Sequence, residues 1–222
     1  GNILCYGASM EATGGVTVDN YSVRSNNGQV IFRTNATINA EINALWPYDL
    51  IILQYGLNIM QQGQRVYGKY RDQLRDMIAY AERCFPNAAI VVMGVSDRWV
   101  KNPETGTYEP IGSVDALTSY QRAAADSCNV AFWNTSRVMQ ELGGMPAFVS
   151  NGWAAKDYTH INYAGGKRVA SAFADAICHR VFNYLFEREE AERIEAEQQA
   201  ALEAELQRQL DEWLAENPDW NK

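Results

Sequence analysis

Leu50-Ile51-Ile52-Leu53-Gln54-Tyr55-Gly56-Leu57-Asn58 is an apolar run that ends abruptly in a polar turn. A continuous apolar run of this length suits a strand of a parallel sheet, because helices then cover both of its faces. Similar runs occupy residues 3–6, 16–18, 89–95 and 130–133 and are read as further strands. Between them, Val66, Tyr70, Leu74, Met77, Ile78 and Ala81 recur at helical spacing, and Phe85-Pro86 marks the stop. A second helix is expected over 114–128. A third is expected after Gly165-Gly166, with Val169, Phe173, Ile177 and Val181 on one face. Strand–helix alternation of this kind predicts an α/β fold: a three-layer α/β/α sandwich on a mainly parallel, flavodoxin-like sheet. The sandwich domain is expected over 1–185.

The chain has 222 residues, of which 47% are hydrophobic and 11% aromatic, enough for one well-packed domain. No run of about 18 apolar residues is present, so no membrane span is expected. A basic start followed by an apolar stretch is also missing, so no signal peptide is expected within this chain. Lys and Arg form no stripe that could displace counterions from a nucleic acid, and nucleic-acid binding is not expected. Cys5, Cys84, Cys128 and Cys178 are widely spaced, and with two histidines the chain offers no ligand spacing for zinc. Cys5 and Cys128 read as buried free thiols.

The net charge of −8 is unevenly placed. From Glu187 onward there are 12 acidic residues against 4 basic ones, so the rest of the chain is balanced. Residues 186–222 read as an acidic helical extension, rich in Glu, Ala, Leu, Gln and Arg and free of Gly and Pro until Pro218. Ile194, Leu202, Leu206, Leu210 and Trp213 form a sparse apolar stripe along it. Either this stripe packs on the body of the same chain, or residues 187–216 dock on a protein partner or a second copy.

Three pieces carry candidate chemistry. In Asp157-Tyr158-Thr159-His160 the carboxylate stands three residues before the histidine and can fold back onto Nδ1 of the ring. That bond fixes the tautomer, leaves Nε2 as a base and stabilises the imidazolium formed in a reaction. The other histidine, His179, lies mid-helix and reads as structural or solvent-facing. Asn58 follows the central strand, where ligand groups of open α/β sheets gather. Its amide can donate to a developing oxyanion, or it can cap a turn from Met60 onward. Val23-Arg24-Ser25-Asn26-Asn27-Gly28 is a polar turn whose small residues let backbone N–H groups approach a ligand, although Asn-Gly is also a common tight-turn signal. Asp97-Arg98, at the end of the 89–95 run, can shape a pocket or anchor Asp157. Trp153 can stack on a sugar or pack on the body.

In this order the three pieces resemble the SGNH (GDSL-like) hydrolase superfamily. Gly56-Leu57-Asn58 is similar to its third block, G-x-N-D, with Ile59 where Asp is usual. Asp157-Tyr158-Thr159-His160 is similar to its fifth block, D-x-x-H. Residues 24–28 resemble the second block, with Ser25 at the glycine whose N–H serves the oxyanion hole and Gly28 as the alternative donor. Residues 16–24, Gly143-Gly144-Met145 and 157–166 further resemble a bacterial extracytoplasmic GDSL-like subgroup. The resemblance spans roughly 3–184 and implies an extracytoplasmic serine esterase. It would act on O-acyl esters, acetylated carbohydrate among them, with Asp157 and His160 as acid and base and without metal or organic cofactor.

The nucleophile is the departure from the pattern. Tyr6-Gly7-Ala8-Ser9-Met10 imitates the G-D-S block with Ala for Asp. Residues 10–15 are too few for the helix of about ten residues that should follow. A serine N-terminal to this chain is therefore expected, with Ser9 as the alternative. A non-catalytic binding or assembly module, recruiting a partner through its acidic helix, is the competing reading.

Overall fold

A computed structural model describes residues 14–23 and 25–218. The strand expected at 3–6, together with Cys5, Ser9 and Arg24, lies outside these residues. In chain order the elements are α1 (Ala36–Leu45), β1 (Leu50–Leu53), α2 (Gly68–Cys84), β2 (Ala89–Met93), β3 (Trp99–Lys101) and β4 (Tyr108–Pro110). There follow α3 (Val114–Ser127), β5 (Ala131–Trp133), α4 (Thr135–Glu141), α5 (Gly144–Ser150) and α6 (Tyr163–Glu216). They fall into two compact units: the part before Asp97 with Ile111–Asn134, and Asp97–Pro110 with the part from Thr135 onward.

The first unit holds a parallel sheet in the order β1-β2-β5. Its register pairs Leu50 with Ala89 through Leu53 with Val92, and Val91 with Ala131 through Met93 with Trp133. Parallel neighbours require crossovers, and α2 and α3 supply them. Leu74, Met77, Ile78 and Ala81 of α2 join Ala124 and Ala125 of α3 in packing on Leu53, Ile90 and Val92. The spacing that announced α2 thus faces the core. Burial on both faces holds for β2 from Ile90 to Met93, but not for β1, where Ile52 is 43% exposed.

Three expectations need correction here. Residues 16–18 form no strand: Val16 and Val18 are 92% and 85% exposed, and no described strand pairs with them. β-branched residues favour strands through packing on a pleated surface, and the valines here stand in solvent. The α2 helix starts at Gly68, leaving Val66 ahead of it in solvent. The α1 helix was not anticipated. Asn35 caps it by accepting from Thr37 N–H and Ile38 N–H, and its buried residues are Asn39 and Asn43 while Ile38, Ile42 and Leu45 face solvent. Asn39 is satisfied inside by Thr34 Oγ1, the Tyr80 hydroxyl and the Tyr21 hydroxyl.

In the second unit, β3 and β4 form an antiparallel hairpin, with Trp99 opposite Pro110 and Lys101 opposite Tyr108. Asn102 shapes its turn by accepting from the N–H groups of Glu104 and Thr105. Asn162 caps α6 through Gly165 N–H, so the glycine pair lies inside the first turn of the helix rather than ahead of it. A side chain at Gly165 would put Cβ 2.2 Å from the carbonyl oxygen of Trp153, so the close approach demands glycine. At 54 residues, α6 is about 80 Å long. Val169 and Phe173 are buried, yet Ile194, Leu202, Leu206, Leu210 and Trp213 are all exposed. Arg188–Glu192, Arg193–Glu190, Arg193–Glu197 and Arg208–Glu205 pairs run along the helix, all of them exposed to solvent and so of little weight in its stability.

The architecture is mixed α/β with a parallel sheet and a long C-terminal helix, as the sequence predicts. No described helix is long and apolar enough to cross a membrane.

Candidate active site

Asp157 and His160 sit at the tip of a small loop built by its own backbone. Asn162 N–H donates to the Trp153 carbonyl at 3.0 Å, Ala155 N–H to the His160 carbonyl at 2.8 Å, and Ala154 bridges Ile161 antiparallel to it. Tyr158 takes a left-handed conformation, φ 55°, which turns the chain back on itself. Asp157 Oδ1 then accepts from Thr159 N–H at 2.9 Å and His160 N–H at 3.0 Å, while Oδ2 lies 2.7 Å from His160 Nδ1. Burial pushes the Asp157 carboxyl up. The hydrogen bonds from the His160 ring and from the two backbone N–H groups outweigh it and bring the carboxyl down to about 2. A carboxylate ionised at neutral pH favours the imidazole tautomer with its proton on Nδ1 and the lone pair on Nε2. The His160 side chain is 72% exposed, which leaves the ring accessible.

Asn58 belongs to the first unit, in a 3₁₀ turn (Leu57–Ile59) that follows β1. The position of this turn depends on distant residues. Gln121 of α3, fully buried, donates through Nε2 to the Tyr55 carbonyl at 2.8 Å and accepts from Val95 N–H at 3.1 Å. It thereby ties the carboxyl ends of β1 and β2 together. Gly56, at φ 116°, leaves no room for a Cβ between Val95 and Gln121. Burial pushes the neighbouring Tyr70 phenol up. Sequence reading missed Gln121, since a lone glutamine in an amphipathic helix carries no signal of its own.

The Asn58 amide does not cap a turn at Met60. It donates to the Asn26 carbonyl at 3.0 Å, joining the 56–58 and 25–28 segments within one unit. Ser25 is left-handed at φ 57°. Gly28 N–H donates to Asn26 Oδ1 at 2.7 Å, so that donor is already engaged. Gly28 also accommodates Met77, whose Cε would lie 2.2 Å from a Cβ there.

Asp97, buried, accepts from Met145 N–H at 2.7 Å and so holds the Gly143-Gly144-Met145 turn at the start of α5. Trp153 packs edge-on to Phe148 at 5.5 Å, with the Arg168 guanidinium 4.8 Å from its ring centre. Cys84 is a buried thiol, Cys128 is half-buried and Cys178 exposed. Among the described residues no three His, Cys, Asp or Glu side chains converge as a metal ion would need.

No protein-family model matches the sequence, and no curated protein does so significantly. Among solved structures, a peptidoglycan O-acetylesterase matches 61% of this chain with a TM-score of 0.54 and 25% identity. The chain spans 38% of that protein's length. A GDSL-like lipase from Parabacteroides merdae ATCC 43184 matches 68% of each chain at 18% identity, but its TM-score of 0.48 is too low to bear on the assignment. Parallel strands joined by crossover helices, together with the likeness to the esterase, give this chain the SGNH (GDSL-like) hydrolase fold. The esterase to which the chain is similar in structure is a hydrolase of esters.

Proposed function

We propose that this chain carries the acid–base machinery of a serine ester hydrolase acting on O-acyl groups, with acetyl esters of carbohydrate as the favoured substrate. The observation that carries this reading is the Asp157–His160 pair, in which one carboxylate takes three N–H contacts from its own turn and orients the ring. The likeness to the peptidoglycan O-acetylesterase supports this substrate class, and a cell-wall glycan would place the reaction outside the cytoplasm.

In this mechanism His160 Nε2 takes the proton from a serine hydroxyl as its oxygen attacks the ester carbonyl. Asp157 stabilises the resulting imidazolium. The tetrahedral oxyanion is held by the Asn58 amide and a backbone N–H. Ser25 is the better candidate for that second donor, because Gly28 N–H is engaged by Asn26. His160 returns the proton to the departing alcohol, and water then cleaves the acyl-serine by the same route. The serine is either Ser9 or one in a G-D-S block N-terminal to residue 1, which the block order favours.

Fluorophosphonate labelling of the chain, read by peptide mapping beside p-nitrophenyl acetate turnover, separates the two. An adduct on Ser9 that disappears in His160→Ala makes the catalytic set complete within 222 residues. No adduct and no turnover assigns the serine elsewhere. Turnover that survives His160→Ala overturns the mechanism.

The exposed stripe of α6 favours a second role, recruitment of a protein partner. Arg188, Arg193 and Arg208 pair with glutamates along the helix, and acidic residues outnumber basic ones from Glu187 onward, so the surplus there is negative. The chemistry this fits is a basic segment with its own apolar stripe, since two copies of the helix would repel. Sedimentation of the purified chain as a dimer that forms through 187–216 would overturn that choice of partner.

A further inference from the structure

The β3–β4 hairpin meets the loop that carries Asp157 and His160 at one residue, Tyr158. The Trp99 N–H donates to the Tyr158 carbonyl at 3.0 Å. The Tyr108 ring lies stacked on the Tyr158 ring, with centres 4.0 Å apart and planes 17° from parallel. The Trp99 ring flanks it at 6.5 Å. All three aromatics are only half-buried, so the stack is not a by-product of a deep core.

Tyr158 is also the residue whose backbone must be left-handed for the loop to close. A Cβ crowds the following carbonyl oxygen in that conformation, and Tyr lacks the short polar group with which Asn or Asp compensates. Without this turn, Thr159 N–H, His160 N–H and His160 Nδ1 do not all reach one carboxylate. Something outside the four residues must therefore offset the turn. Tyr158 N–H donates to the Ala155 carbonyl within the loop, and the hairpin supplies the Trp99 N–H to its carbonyl and two rings beside its own.

We infer that Tyr108 and Trp99 are positioning residues: the hairpin clamps Tyr158 in its left-handed turn, and the clamp sets the orientation of the His160 ring. The inference rests on the reading of Asp157 and His160 as the acid–base pair, and it goes beyond that reading in assigning the orientation to a hairpin some fifty residues away in sequence. Trp99 acts through its backbone N–H and its ring edge, Tyr108 through its ring face. The Tyr108 hydroxyl is not required.

The test reads the tautomer of His160 by long-range proton–nitrogen correlation in histidine-labelled protein at alkaline pH. His179, the other histidine, lies on α6 and serves as the internal reference. The parent chain and Tyr108→Phe are expected to show His160 protonated on Nδ1. Tyr108→Ala is expected to shift it to the mixture of a free imidazole, in which the Nε2–H form predominates, with His179 unchanged. A His160 that keeps its Nδ1–H form in Tyr108→Ala overturns the clamp, as does loss of that form in Tyr108→Phe. If Tyr108→Ala loses its fold, Tyr108→Leu keeps the apolar bulk without the stack and is judged by the same two outcomes. No substrate enters the measurement. Turnover that survives His160→Ala beside an intact Nδ1–H signature in the parent chain would count against the hydrolase mechanism and leave the clamp standing.

Discussion

The loop at 157–160 and the turn at 56–58 reach their geometry by opposite routes. In the first, donors and acceptor come from four consecutive residues, and every hydrogen bond to Asp157 spans two or three positions. In the second, the decisive contacts span 32 positions from Asn58 to Asn26 and 66 from Tyr55 to Gln121. A short motif can therefore supply every partner of the carboxylate, with only its Tyr158 turn held from outside, while an amide donor after a strand must be placed by the packing of a whole unit. The two regions should respond differently to substitution.

The sharpest contrast lies in catalysis. His160→Ala is expected to lower esterase turnover by about a thousandfold or more, with circular dichroism unchanged, because the base is lost and nothing buried is disturbed. Asn58→Ala is expected to lower kcat by about a hundredfold, the usual loss for one oxyanion donor, with a smaller effect on KM. A kcat equal to that of the parent chain would remove Asn58 from the oxyanion hole and leave it as a tie to Asn26.

Stability separates the regions in the other direction. Gln121→Leu strands the Val95 N–H and the Tyr55 carbonyl in a buried place, at a cost of about 1–3 kcal/mol each if left unpaired. Urea unfolding should show that loss, and the histidine spectrum of the 157–160 loop should not change. A shift at His160 in Gln121→Leu would mean that the two regions are coupled.

The smallest effect is in acid. A carboxyl depressed to about 2 from an ordinary 3.8 contributes stability that is fully present above pH 4. The unfolded chain takes up its proton first, so that contribution fades as the pH falls from about 4 towards 2. Because Asp157 is half exposed, solvent screens the effect, and Asp157→Asn should flatten the acid limb of the stability profile only slightly. An unchanged acid limb would show that the carboxylate serves orientation and not stability.

What could be read in advance follows the same division. The 50–53 strand, the α2 face of Leu74, Met77, Ile78 and Ala81, and the Asp157–His160 pair each depend on neighbours within a few positions. The α1 helix escaped notice because its pattern is inverted, with two asparagines inward and Ile38, Ile42 and Leu45 outward. Apolar periodicity has no means of reporting a face that is buried through hydrogen bonds to Thr34 and Tyr80. Residues 16–18 misled in the reverse sense, since strand propensity was present and a pairing edge was not.

Order along the chain was enough to establish an α/β fold, a carboxylate–histidine turn and an acidic helical end, because these rest on local spacing and composition. Packing assigned Asn58 to Asn26, Gln121 to the ends of two strands, Asp97 to Met145 and the left-handed Tyr158 to the hairpin. It also left the α6 stripe in solvent. Each of these depends on which distant surfaces meet, and a contact between residues far apart in the chain leaves no periodicity or spacing by which to be foreseen.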